Sequence, residues 1–335
     1  MIICIGNAMV DSLQFVEDEV IEKLQLNKAR MTLVDKDRSN FLQANMSTPT
    51  LEAGGSAANT AYWIAQLGGK AGFIGKISND ELGIQFKKSL TESGLVDLTV
   101  LEDGNKQTGL CAIFVTPDGE RTMNTYLGAG ELLSKEDISE EVINNSNLLY
   151  MEGYLWDKPS SKEAFIYASK INAMSGGKNA ITLSDVFCVE AHRESFIELI
   201  KNNINYVFTN EEELISLTQK ENIESALNFF ADNFPNVDQL ICTLGPQGAV
   251  VVEIGKKYYF SAMKTNVVDK TGAGDFFAAG YLYGLQNGLS MEDAVHIANK
   301  SAAHVISELN LDVIHQHFWV TQILLCQVAG NHQWE

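Results

Sequence analysis

The residues best suited to chemistry lie late in the chain, where Asp269-Lys270-Thr271-Gly272-Ala273-Gly274 runs into Asp275 and an apolar stretch over 276–285. Glycines let the backbone turn tightly and approach a ligand closely. A helix starting there aims free N–H groups and its positive dipole end at one point, which suits an anion. Asp275 falls in the first turn of that helix. A carboxylate so placed can take a proton from an attacking hydroxyl while the N–H groups of Gly272, Ala273 and Gly274 hold phosphoryl charge. An acidic helix start that serves only its own helix is the competing explanation.

Four further segments carry candidate groups. Gly54-Gly55-Ser56-Ala57-Ala58-Asn59 pairs two glycines with a helix start, Ser56 being its expected cap, and sets Asn59 one turn in, able to bind a hydroxyl-rich ligand. Asp11 follows the first apolar run and Gly6-Asn7, where a carboxylate can hold two adjacent hydroxyls or stabilise a turn. Asn210 and Glu213 have the spacing of a capping box, and they also suit a hydrated Mg²⁺ beside phosphates. Arg121 follows a turn and can neutralise a transferring phosphate, although a lone arginine there is commonly a solvated surface group. His315 and His317 form an H-x-H pair with no carboxylate or cysteine partner nearby, which argues against a metal site. The chain has no G-x-x-x-x-G-K-[ST], G-x-G-x-x-G or H-E-x-x-H, which disfavours P-loop, dinucleotide and zincin chemistry.

The elements that must position these groups alternate. Apolar runs over 2–5, 148–151, 180–183, 206–208 and 240–243 read as buried strands, and helical patterns span 57–67, 80–93 and 291–309. Strands alternating with helices predict an α/β three-layer sandwich on a mostly parallel sheet. Residues 110–116 and 121–127 flank Pro117-Asp118-Gly119-Glu120 as a strand–turn–strand, and 245–260 holds another antiparallel pair. With the polar stretch 12–52, the segment 106–127 predicts a small β-rich lid on a single domain. The net charge of −19, from 43 acidic and 24 basic residues, opposes nucleic acid and anionic membrane as partners. Five scattered cysteines, the absence of an apolar run of ~18 residues and the absence of a signal-peptide pattern predict a cytoplasmic, reducing setting.

Taken in order, Gly6-Asn7 with Asp11, Gly54-Gly55 with Asn59, Asn210 with Glu213, and Asp269 through Asp275 resemble the ribokinase-like, or PfkB, family over roughly residues 1–309. The stretches Gly119–Ala129 and Glu152–Asp157 look like bacterial members described as adenosine kinases. The resemblance implies ATP and Mg²⁺ as cofactors, a β-sheet lid, and transfer of the γ-phosphoryl to a primary hydroxyl. It implies Asp275 as catalytic base, Gly272, Ala273 and Gly274 as anion hole, and Arg121 at the transferred phosphate. Asn7, Asp11, Gly54, Gly55, Ser56 and Asn59 would hold the acceptor, and Asn210 and Glu213 would organise Mg²⁺, Glu213 through water. Thr243, Gly245, Gly248 and Asn299 would line the nucleotide. Lys270 stands where the motif often carries Thr, and the tail 310–335 departs from the family's usual ending.

Two acceptor classes and one non-catalytic class compete. Met9, Met123, Tyr154 and Trp156 are apolar candidates for a base-stacking pocket, which favours a nucleoside, adenosine above all, over ribose or fructose. A nucleotide-binding protein without turnover has no need of a carboxylate at 275, and the missing G-x-G-x-x-G counts against a dehydrogenase. A monomer or homodimer is expected.

Overall fold

The structure, a computed structural model, describes residues 1–104 and 106–307. Short apolar runs form the centre because parallel strands covered on both faces must be apolar throughout. They build a nine-stranded sheet in the order Lys256–Phe260, Ala249–Glu253, Gln239–Thr243, Tyr206–Asn210, Lys178–Thr182, Leu148–Glu152, Ile2–Ile5, Ala71–Ile74, Val96–Asp97. Pairing is parallel except around Ala249–Glu253, which runs antiparallel to both neighbours. The α/β sandwich expected from the alternation is therefore present.

Alternate residues of each strand go to opposite layers. Cys4, Phe73, Tyr150, Phe208 and Val251 pack with the helices Ser56–Gln66, Glu81–Glu92, Ala273–Gln286 and Met291–Ser307. Ile5, Ile74, Met151, Val207 and Val250 pack with Pro159–Met174, Val186–Asn203, Glu211–Thr218 and Ile223–Asn233. No described helix is long and apolar enough to cross a membrane. The Met291–Ser307 helix ends the described residues, so the His315–His317 pair and the tail 310–335 lie outside them.

A second, five-stranded sheet has the order Met31–Leu33, Arg121–Tyr126, Gly109–Val115, Met9–Phe15, Thr50–Gly54. It corrects the boundaries expected for the polar stretch: its strands begin at Met9 and end at Gly54, outside 12–52. That stretch also holds two helices, Asp18–Lys23 and Lys36–Ala44, the latter capped by Asp35 accepting from the Arg38 N–H. Ala112 and Phe114 pack under Ile21, Leu24 and Leu42 of this layer. The opposite face turns Asp11, Leu13, Ile113 and Arg121 toward the main sheet.

Candidate active site

The main sheet reverses its winding at Ile2–Ile5, whose neighbours Leu148–Glu152 and Ala71–Ile74 lead the chain in opposite directions. Ligands of open α/β sheets sit beyond the carboxyl ends of strands at such a point. A cavity of about 710 Å³ occupies that place, lined by Asn7, Glu152, Thr182, Asn210 and Thr243 from successive strand ends.

Gly272 starts the helix Ala273–Gln286 with φ +79°, a conformation that glycine adopts without strain, and no side chain caps the helix. A Cβ added at Gly274 would meet nothing within 4 Å, so the helix start faces open space. Asp275 stands in this first turn. Ser56 Oγ donates to its Oδ1 at 2.6 Å, and Asn59 Nδ2 donates to its Oδ2 at 3.3 Å. Burial pushes its carboxyl up to about 6, against the pull of those two donors. Ser56 is thus the first residue of its helix and a partner of Asp275, a correction to its expected capping role; Gly55 occupies the cap position. Ser56 is free to serve Asp275 because Gly55, at φ +106°, turns the chain before it.

Gly54 brings bare backbone against the Asp11 carboxylate, where any Cβ would overlap. Asp11 is raised to about 7 by burial, with Arg121 opposing and the Asp275 carboxylate adding to the rise. Arg121 has a side chain only 9% exposed and ion-paired with Asp269, so the reading of a solvated arginine is corrected: the turn over 117–120 is exposed, but the arginine after it turns inward to a carboxylate. Asn210 and Glu213 form the expected capping box, with the Asn210 side chain accepting from the Glu213 N–H at 2.8 Å and Glu213 Oε2 accepting from the Asn210 N–H at 3.1 Å. Burial raises Glu213 to about 7.

Thr243 and Gly245 line the cavity with Lys270, while Gly248 and Asn299 stand outside its lining. Gly248 packs tightly on the Phe260 carbonyl, and Asn299 donates to the Ser261 carbonyl at 3.1 Å. Met9, Met123 and Tyr154 line the cavity. Trp156 does not: it is 1% exposed, packs between Phe165 and Phe196, and donates to Ser195 Oγ at 2.9 Å, which corrects its place among the pocket candidates.

Glu152 is a residue that the sequence reading did not single out as a site group. Fully buried at the end of its strand, it accepts from the Asn7 N–H at 3.1 Å, from Asn7 Nδ2 at 2.6 Å and from the Ala57 N–H at 2.9 Å. Burial, more than any charge, pushes it up to about 7. It ties the first strand to the helix that carries Ser56 and Asn59. In sequence it looks like the last residue of an apolar run, and only the placement of an acid before Gly153 marks it.

The donor set fits a nucleotide's phosphates at the uncapped helix start, with Lys270 as a nearby cation. Among the described residues no group of three or more His, Cys, Asp or Glu could hold a metal ion directly. The Glu213 carboxylate, already engaged by Asn210, suits a cation held through water and phosphate oxygens.

The sequence profile described as pfkB family carbohydrate kinase matches residues 2–314. Among solved structures, the adenosine kinase of Sinorhizobium meliloti is 38% identical, with TM-score 0.84 over 92% of this chain and 94% of its own. A probable sugar kinase of Rhizobium etli CFN 42 shows the same identity and TM-score over 92% of this chain and 93% of its own. The 5-dehydro-2-deoxygluconokinase of Halalkalibacterium halodurans is 30% identical over 267 residues, 76% of this chain and 80% of its own. With an acid at an open helix start and a profile match along nearly the whole length, the chain belongs to the PfkB family of carbohydrate kinases, ATP-using phosphotransferases with an alcohol group as acceptor.

Proposed function

We propose that this chain transfers the γ-phosphoryl of ATP to the 5′-hydroxyl of a nucleoside, adenosine giving AMP, a purine-salvage reaction in the cytoplasm. The observation that carries the reading is Asp275, oriented by Ser56 and Asn59 in the first turn of an uncapped helix. Its free lone pairs can take the hydroxyl proton as the acceptor oxygen bonds to phosphorus and the leaving ADP oxygen departs with the bonding electrons. Of the expected donors Gly272, Ala273 and Gly274, the Ala273 N–H already donates to the Lys270 carbonyl at 3.3 Å, so the Gly274 N–H, joined by that of Asp275, is the one to hold developing negative charge, and Arg121 and Lys270 supply cations at the rim. Mg²⁺, when bound, neutralises phosphate oxygens. Asn7, Asp11 and Asn59 would receive the acceptor's hydroxyls.

The ionised form of Asp275 is the active one. Activity is therefore expected above the raised carboxyl pKa of about 6 and lost as pH falls through it. The kcat/KM profile should fall by about tenfold per unit on that acid limb; a limb near the ordinary carboxylate value of ~4 would contradict the assignment.

Adenosine is favoured by the apolar part of the cavity lining. Met9, Met31, Met123, Tyr154 and Phe187 line the cavity, an apolar and aromatic surface that suits a flat base. A sugar acceptor such as ribose or fructose is the second reading, favoured by the equal likeness to the probable sugar kinase of Rhizobium etli. ATP consumption with Mg²⁺ separates them: kcat/KM for adenosine should exceed that for ribose and fructose by roughly 10²-fold or more, since burying a base contributes more than a methylene does. The reverse order would remove the nucleoside assignment and leave Asp275 in its role.

A further inference from the structure

The strand Thr50–Gly54 sets a second carboxylate beside Asp11. Its antiparallel register places Glu52 directly opposite Asp11, with Gly54 opposite Met9. Directly opposed residues send their side chains to one face, with Cβ atoms about 4.5–5.5 Å apart, and like charges there destabilise the sheet. Glu52 faces a groove of about 860 Å³ that adjoins the Asp275 cavity; Asp11, Asn59 and Gly272 line both. Arg121 is the cation on this face of the sheet, and Asp269 already holds it. Tyr62, from the helix Ser56–Gln66, lines the groove beside Glu52, and Lys88, well exposed, lies toward its outer end. Burial, with the Asp11 charge adding and Arg121 opposing, raises Glu52 to about 7. A sheet edge that tolerates two opposed acids beside a substrate cavity is set up to act on a third charge.

We propose that Glu52 is a specificity-determining residue that, together with Asp11, admits neutral polyhydroxylated acceptors and rejects those bearing a carboxylate at the end remote from the reacting hydroxyl. The inference rests on the acceptor binding at Asp11 and Asn59. An anionic acceptor with its reacting hydroxyl at Asp275 would bring its remote charge against Asp11 and Glu52, where Arg121 is already paired with Asp269. Neutral hydroxyls meet two acceptor-rich side chains, one of them able to carry a proton near neutral pH.

The test compares inhibition by D-gluconate with inhibition by sorbitol, its neutral counterpart, against whichever acceptor the full chain turns over. Wild type should favour sorbitol by at least ~10-fold, and Glu52→Gln should collapse that ratio through tighter gluconate binding. A general structural lesion would move both inhibitors together. An unchanged ratio in Glu52→Gln would overturn the proposal. Should that variant fail to fold, the wild-type ratio is read against ionic strength: charge repulsion must weaken as salt rises, so a ratio flat with salt also overturns it. Absence of turnover with adenosine, other nucleosides and sugars would instead remove the functional reading, and calorimetric binding of gluconate and sorbitol would still decide the role of Glu52.

Discussion

Asp275→Ala is expected to lower turnover by roughly 10²–10⁴-fold, the range spanned by a positioned general base. The fold should survive, because the side chain's partners are two half-buried groups, Ser56 and Asn59, that can turn to water. Removing a carboxylate that burial has pushed up to about 6 also relieves a cost of ionisation at neutral pH, so the melting temperature should hold or rise. The sign follows from linkage. A carboxyl whose folded pKa lies above its unfolded value binds more protons when folded, and its ionisation disfavours folding as pH rises through that window. Steady-state kinetics and thermal denaturation together check both halves: near-normal turnover would remove Asp275 from the mechanism, and a collapsed fold would make it a structural residue.

Gly55→Ala should act the opposite way, on stability first. Gly55 has φ +106°, outside the left-handed helical basin that other residues tolerate, and an added Cβ would overlap the Asn7 carbonyl oxygen. Backbone strain costs on the order of 1–3 kcal/mol and overpacking about as much again. Gly68→Ala is the control, since Gly68 has φ +86° and nothing within 4 Å of an added Cβ. It should lose only the strain. Chemical denaturation midpoints should therefore rank wild type above Gly68→Ala and Gly68→Ala above Gly55→Ala; equal losses at the two glycines would show that the Asn7 approach is not tight. Gly55→Ala should also lose activity, because the displaced peptide carries Ser56.

The parts of this molecule legible in its sequence are the local ones. The capping box at Asn210–Glu213 and the glycine turn into Asp275 depend on neighbours within four residues, so spacing alone exposes them. The buried parallel strands announce themselves as apolar runs. The second sheet is harder to see, because Met31–Leu33 has three residues and Thr50–Gly54 is an edge strand with one buried position. Neither gives a clean alternation. Glu152 was hidden for another reason: its partners Asn7 and Ala57 lie 145 and 95 residues away, and nothing near it in the chain signals them. Trp156 misled because an aromatic near a pocket segment looks the same whether it points into the cavity or into the core. Ser56 misled because a hydroxyl before a helix usually serves the helix, and here Gly55 took that position.

The chain passes between the two sheets at four points: Gly6–Ala8 after the first strand, Gly54–Gly55, the segment before Gly109, and Leu127–Gly128. All four gather at the end of the second sheet nearest Asn7. They make a pivot line, and the far end of that sheet is a lever arm. Arg121 sits about six residues along its strand from that line, roughly 20 Å at strand spacing. Its ion pair with Asp269 therefore fastens the end of the sheet farthest from the chain crossings. Asn7 and Gly55 stand at the joined end, where both sheets share the same stretches of chain.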